Sequence, residues 1–195
     1  MWSLTRPSAV TIDKFLAEQR RSDFTYTAVG DTARTPPAGY NVDRTRVSLG
    51  EGERTFELAT AALGRWEQFQ LGWVEPGSSA APLESGTVVA VMARVFGGWW
   101  LNACRIGYVV RETGTLSRFG FAYGTLAGHA ESGEERFLVE WDRAENCVWY
   151  DILAFSKPRH ILARLGYPLA RRTQKRFARD SAAAMRRAVK GGEIA

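Results

Sequence analysis

The strongest constraint on the fold of this chain is a run of strand-length segments joined by turns too short to hold a helix. Apolar and aromatic stretches near 70–75, 86–96, 99–112, 116–127, 134–142 and 146–155 alternate with short connections rich in Gly, Ser, Glu, Asp and Asn. Such connections join antiparallel neighbours, because parallel strands need a crossover of a dozen residues or more. A further strand is expected around Val42 to Leu49. Gly50-Glu51-Gly52 then turns the chain into a helix over about Glu53 to Gln68, whose stripe of Phe56, Ala59, Leu63 and Trp66 is spaced for packing on a sheet. A longer helix, about Pro168 to Val189, follows the strands, with Leu169, Thr173, Phe177, Ser181, Ala184 and Ala188 on a narrow small-residue face. Near the start, Thr11 to Arg21 reads as a short helix capped by Thr11.

This order predicts an α+β helix-grip fold. A curved antiparallel sheet of about six to seven strands wraps around a long C-terminal helix, because the apolar face of each needs covering. A length of 195 residues fits a single domain over 1–195, with its core at 41–190 and an N-terminal extension carrying the short helix at 1–40. The extension is read either as a cap on a pocket or as a surface for a second chain, so a homodimer stays open.

Charge and cysteine usage narrow the function classes. The net charge is +5, yet residues 157–190 carry eleven Lys or Arg against Asp180 alone, so the excess belongs to the C-terminal segment. A basic helix admits a nucleic-acid or anionic-surface reading. Few aromatics interleave for stacking, which favours solvated charge and disfavours nucleic acid as a partner. No apolar stretch precedes Asp13 and Lys14, and the apolar run from Thr87 to Val110 is broken by Arg94, Asn102 and Arg105. Neither a secretion signal nor membrane insertion is expected. Cys104 and Cys147 form no CxxC and read as buried free thiols, which fits a soluble, cytoplasmic protein. Gly50-Glu51-Gly52 lacks a third glycine, and Glu51 and Glu53 would repel a phosphate, so no nucleotide cofactor is implied.

From Arg118 to Thr125 the residues alternate strictly. Phe119, Phe121 and Tyr123 face one way, while Gly120, Ala122 and Gly124 face the other. A face of glycine and alanine leaves volume that a neighbouring Trp, the terminal helix or a ligand must fill, because protein interiors are close-packed. The densest polar cluster follows at once. In YGTLAGHAESGEERF, Tyr123 and Thr125 lead into His129, Glu131, Glu134 and Glu135 around a hairpin expected at Gly128 to Gly133. His129 is the natural acid or base, with Glu131 or Glu134 to fix its tautomer and raise its pKa. The plainer reading is a solvated hairpin tip. His160 stands in another segment without HxH or HxxxH spacing, so no metal site is expected. Asp151 interrupts an aromatic strand, either as a buried acid or facing outward.

Four strings taken together, PAGYNVDRTRVSLGEG (37–52), FAYGTLAGHAESGEERF (121–137), AFSKP (154–158) and PLARRTQ (168–174), resemble the domain of unknown function 1990 family over about residues 24–188. The resemblance implies kinship with the helix-grip superfamily of steroid-transfer and birch-pollen-allergen-like proteins, whose members hold apolar ligands between sheet and helix. It carries no established activity. By motif position it marks Tyr123, Thr125, His129, Glu131, Glu134, Glu135, Ser156, Arg171 and Gln174 as polar signature residues. Two readings therefore lead. One is a non-catalytic binder of a small apolar or aromatic molecule, with Gly120, Ala122, Gly124, Tyr123, Thr125, Arg171 and Gln174 around it. The other is an enzyme of lyase, cyclase or hydrolase type that uses His129 with Glu131 or Glu134 in the same pocket.

Overall fold

The computed structural model describes residues 1–78, 80–159 and 167–193. Its strands are β1 (Trp2–Ser3), β2 (Asn41–Glu51), β3 (Val74–Pro76), β4 (Val88–Val95), β5 (Gly98–Glu112), β6 (Leu116–Thr125), β7 (Glu131–Asp142) and β8 (Cys147–Pro158). The helices are α1 (Ala9–Gln19), α2 (Gly52–Gly64) and α3 (Tyr167–Glu193). One antiparallel sheet runs in the order β2-β8-β7-β6-β5-β4-β3, with β1 beside β5. Two breaks in register bend it, between Ile106 and Tyr108 on β5 and between Ser48 and Gly50 on β2. Each bulge increases twist and curls the sheet.

The sheet's inner face packs on α2, a 3-10 turn at Glu67–Phe69 and α3, as the helix-grip expectation requires. Alternation decides which side chains go there. Phe121 and Tyr123 of β6, Phe137, Val139 and Trp141 of β7, and Val148, Tyr150 and Ile152 of β8 meet Leu63, Trp66, Phe69, Phe177 and Met185. Of the stripe read from α2, Ala59, Leu63 and Trp66 are buried and Phe56 is half-buried, but the helix ends at Gly64 rather than Gln68. Trp66 takes a left-handed conformation (φ 60°), which stops the helix and turns its ring into the core against Phe121. On α3 the buried side includes Ser181 and Ala184 as expected, together with Ala182, Met185 and Val189.

The outer face is covered at one end by α1, whose Ile12 and Phe15 pack on Ala90, Met92, Leu101, Ala103 and Leu126. Ser8, not Thr11, caps this helix, accepting the Thr11 N–H at 3.2 Å. Residues 24–34 continue across the outer face, where the Thr25 N–H donates to the Thr125 carbonyl at 3.0 Å. The extension therefore lies against the back of the sheet, opposite the side on which a cap was expected. Of residues 1–40, Met1 alone lines the inner cavity. Both cysteines are free, Cys104 buried and Cys147 half-buried. Among the described residues no helix is long and apolar enough to cross a membrane.

Candidate functional site

The core does not fill the grip. Between the sheet and the first half of α3 lies a cavity of about 1330 Å³. Its apolar wall includes Phe69, Trp73, Val91, Ile152, Ala154 and Phe177. Its polar residues include Asp43 and Thr45 from β2, Tyr123 and Thr125 from β6, Glu131 and Glu135 from β7, Ser156 from β8 and Gln174 from α3. The strands deliver these groups because residues two apart on a strand share a face. Glu131, Gly133, Glu135 and Phe137 are one such set, and register places Glu135 opposite both Tyr123 and Ala154.

Two hydrogen-bonded groups make up the polar end. The Tyr123 hydroxyl donates to Glu135 Oε2 at 2.9 Å. Gln174 Nε2 donates to Glu131 Oε2 at 2.7 Å and to Ser156 Oγ at 3.2 Å. The Gln174 carbonyl accepts from Arg171 Nη1 at 2.8 Å, and Arg171 is paired through both Nη atoms with Asp43. This chain of contacts ties the first turns of α3 to β2, β7 and β8. Arg171 and Gln174, marked in the sequence by the family resemblance alone, both belong to it, together with Asp43 on β2.

Burial sets the protonation states. It drives the Glu135 carboxyl up to about 7; the Tyr123 hydrogen bond pulls the other way, and the charges of Glu131 and Asp43 add to the rise. Glu131 is raised as well, again by burial, with Ser156, Arg171 and Gln174 opposing. Burial also pushes the Tyr123 hydroxyl well above its usual value.

His129 lines the cavity, but its chemistry corrects the expectation of a raised pKa. Burial lowers it to about 4, and Nδ1 accepts the Glu131 backbone N–H at 3.0 Å. The ring is therefore neutral with a fixed tautomer, and backbone rather than a carboxylate fixes it. The hairpin itself is shorter than read, because β7 already begins at Glu131 and Gly133 lies within the strand.

Glu134 turns the other way. On the outer face it accepts from the Tyr26 hydroxyl (2.8 Å), the Gly30 N–H (2.7 Å), the Thr32 N–H (3.0 Å) and the Thr32 hydroxyl (2.5 Å). Its carboxylate anchors the extension and is committed there, so it is no partner for His129. Gly120, Ala122 and Gly124 share that outer face. A Cβ on Gly124 would fall 1.9 Å from the Tyr26 hydroxyl oxygen, and one on Gly120 would fall 2.2 Å from the Phe137 carbonyl oxygen. The volume that the small residues leave is thus taken by Tyr26 and by the close approach of β7, not by the cavity. Thr125 lines the cavity but spends its hydroxyl on Thr25 Oγ1 and on the Gly133 backbone.

Asp151 is a fully buried acid that faces outward, so both expectations for it hold in part. Arg44 (2.7 Å) and Arg136 (2.9 Å) reach its carboxylate, with Arg46 at 3.6 Å. Arg46 and Arg118 in turn hold Glu140. On α3 the described basic residues lie mostly on the exposed side, where Arg176 and Arg179 pair with Asp180. His160 lies outside the described residues. Among those residues no group of three or more His, Cys, Asp and Glu is arranged to hold a metal ion.

The chain is similar to known proteins over most of its length. The family described as domain of unknown function (DUF1990) matches residues 25–184. A protein of Dictyostelium discoideum, named UPF0548 protein, is 34% identical over 208 residues, covering 97% of this chain and 96% of its own length. A UPF0548 protein of Deinococcus radiodurans is 37% identical over 201 residues, covering 97% and 99%. Among solved structures, Ara h 8.0201 superposes with a TM-score of 0.45 at 10% identity, covering 75% of this chain and 98% of that one.

Proposed function

We infer, for a chain that belongs to the domain of unknown function 1990 family, a function read from its own interior: it binds a small, mostly apolar molecule between the sheet and α3. The observation that carries this reading is the cavity of about 1330 Å³, walled by Phe69, Trp73, Ile152 and Phe177 and polar at Tyr123, Glu131, Glu135 and Gln174. Ligand sites are mostly apolar concavities with a few placed polar groups that orient the guest. Protein-filled cores leave voids scarcely larger than a water molecule. Arg171 acts through Asp43 and Gln174, holding α3 over the cavity rather than touching the guest.

The test is native mass spectrometry of the protein purified from its own host, followed by extraction and identification of what it carries. A stoichiometric apolar compound is the expected result. Repeated empty preparations, together with no uptake of added apolar compounds, would sink the reading.

A second reading has its own support. Glu135 combines a carboxyl near neutrality with a position on the cavity wall beside the Tyr123 hydroxyl, which suits a general acid or base. In this form of the enzyme hypothesis Glu135 takes the role first given to His129, Glu131 and Glu134, and neutral His129, with Nδ1 occupied by the Glu131 N–H, has only its Nε2–H to offer as a donor on the cavity wall. Once the bound compound is known, turnover lost in Glu135→Gln with binding retained would support catalysis. Unchanged turnover would return the cavity to a carrier role.

A further inference from the structure

We propose that the molecule held in this cavity carries a protonated amine, seated against the Glu135 carboxylate with its apolar body along Phe69 and Phe177. This rests on the cavity being a binding site and adds the chemical class of its guest. The argument is one of missing charge. Glu135 accepts a hydrogen bond from Tyr123, and among the described residues no Lys or Arg forms an ion pair with it or with Glu131.

Apart from Lys175, which lines the cavity from its solvent-exposed rim, the cations around the cavity are committed elsewhere. Arg171 is held by Asp43, Arg44 reaches through to Asp151, Arg179 binds Asp180, and Arg186 donates to the Ser48 carbonyl. The Met1 ammonium donates to the Leu101 carbonyl, and its field falls on His129. The titratable groups that influence Glu135 or answer to it are Tyr123 on β6, Glu131 on its own strand, Asp43 on β2, Tyr150 on β8 and Cys104 on β5. None of these brings a positive charge.

A carboxylate in such surroundings is satisfied by a proton or by a cation, since a buried charge without a counterion is strongly disfavoured. An arriving ammonium would supply the counterion. Phe69, stacked between Tyr123 and Phe177, and Phe177 itself line the cavity and would wall the apolar body of the guest. A carboxylate-bearing guest would be repelled at the same place.

The proton balance of this step is measurable. Below neutrality Glu135 holds a proton that must leave to solvent when the ammonium binds, so association releases up to one proton and tightens as pH rises. The experiment is isothermal titration calorimetry on the full chain with two isosteric pairs, phenethylamine against phenethyl alcohol and octylamine against octanol. It is run at pH 5.5 and 8.5 in buffers of different ionisation enthalpy. With a carboxyl titrating at about 7, the amines are expected to bind about 30-fold tighter at the higher pH, and the alcohols equally at both. Glu135→Gln is expected to abolish the amine preference while still binding the alcohols.

Alcohols binding as well as amines at pH 8.5, or an amine preference that survives Glu135→Gln, would overturn the amine assignment and leave the cavity reading intact. No binding by either member of either pair would overturn both together. Should the variant fail to fold, the pH dependence and proton release of the unmodified protein decide alone.

Discussion

Glu134 and Glu135 are neighbours on one strand and live under opposite physics. Glu134 points to the outer face, where four donors from Tyr26, Gly30 and Thr32 surround its carboxylate. Glu135 points inward, where Tyr123 supplies one hydrogen bond and the nearby charges of Glu131 and Asp43 are of its own sign. The pattern extends along the sheet. Outward acids Asp151 and Glu140 are held by arginines, whereas the inward acid Glu131 is held by Gln174. On the outer face most polar groups are paired internally, Arg136 Nε being an exception. The inner face is left short of partners at one end of a cavity. The contrast separates residues that build the protein from residues that meet something else.

Breaking the outer side should cost most. Glu134→Ala strips the acceptor from the buried Thr32 N–H, the partly buried Gly30 N–H and two hydroxyls, so a loss of about 4 kcal/mol is expected, since each unsatisfied buried group costs about 1–3 kcal/mol. Urea unfolding measures it, and limited proteolysis should show new cleavage within residues 24–40. A loss under about 1 kcal/mol would refute the anchoring role. Asp151→Ala comes next, at about 3 kcal/mol, because the buried charge of Arg136 loses its counterion. Asp151→Asn should recover part of this.

The inner side should respond with the opposite sign. A carboxyl whose folded pKa is raised contributes stability below its unfolded value, and that contribution is lost as pH rises through the folded one. For Glu135 the window runs from its ordinary value up to about 7. Glu135→Gln should therefore leave stability unchanged at pH 4 and raise it by up to about 3 kcal/mol at pH 8. Thermal melts across this range check it, and a variant destabilised at pH 8 would contradict the assignment of Glu135 as an unpaired inward acid. The smallest effect is expected at His129, whose pKa is depressed to about 4. A depressed histidine keeps its contribution above its ordinary pKa of 6.5 and loses it as pH falls toward the folded value. His129→Asn should remove about 1 kcal/mol of the acid-induced loss at pH 5.5, visible as a flatter melting profile between pH 6.5 and 4.

Much of the fold was legible because it is written in local patterns. Strand alternation, short polar turns and the apolar stripe of α2 each follow from a period of two or 3.6 residues. Alternation alone also separates Phe121 and Tyr123 from Gly120, Ala122 and Gly124. Which of the two sets faces the interior is a different matter. Small residues suggested a hollow, but they are small because Tyr26, about a hundred residues earlier, lies over Gly124. No local pattern records that contact. The candidate site was half legible for the same reason. The string from Tyr123 to Glu135 named the right neighbourhood, whereas Glu134 and Glu135 could be told apart only with register and curvature in hand. Asp43, Phe69 and Trp73 reach the cavity through tertiary packing; Asp43 sits within the string at 37–52 without being singled out there, and Phe69 and Trp73 had no motif to announce them. The helix boundary at Gly64 was misjudged because a tryptophan in a left-handed conformation is rare, and only its burial against Phe121 makes it tenable.

The alternation along β7 also limits how such a chain can change over generations. A residue gained or lost in the connection at 126–130 would shift Leu126 or His129 but leave the alternation of β7 unchanged. One gained or lost inside the strand, at Glu134, inverts every side chain beyond it, since strand faces repeat with a period of two. Arg136 would then enter the cavity and Phe137 would meet the outer arginines. Descendants of this sequence are thus free to retune their guest by exchanging side chains at Glu131, Glu135 or Tyr123, while the number of residues between Glu131 and Asp142 is held fixed by the architecture.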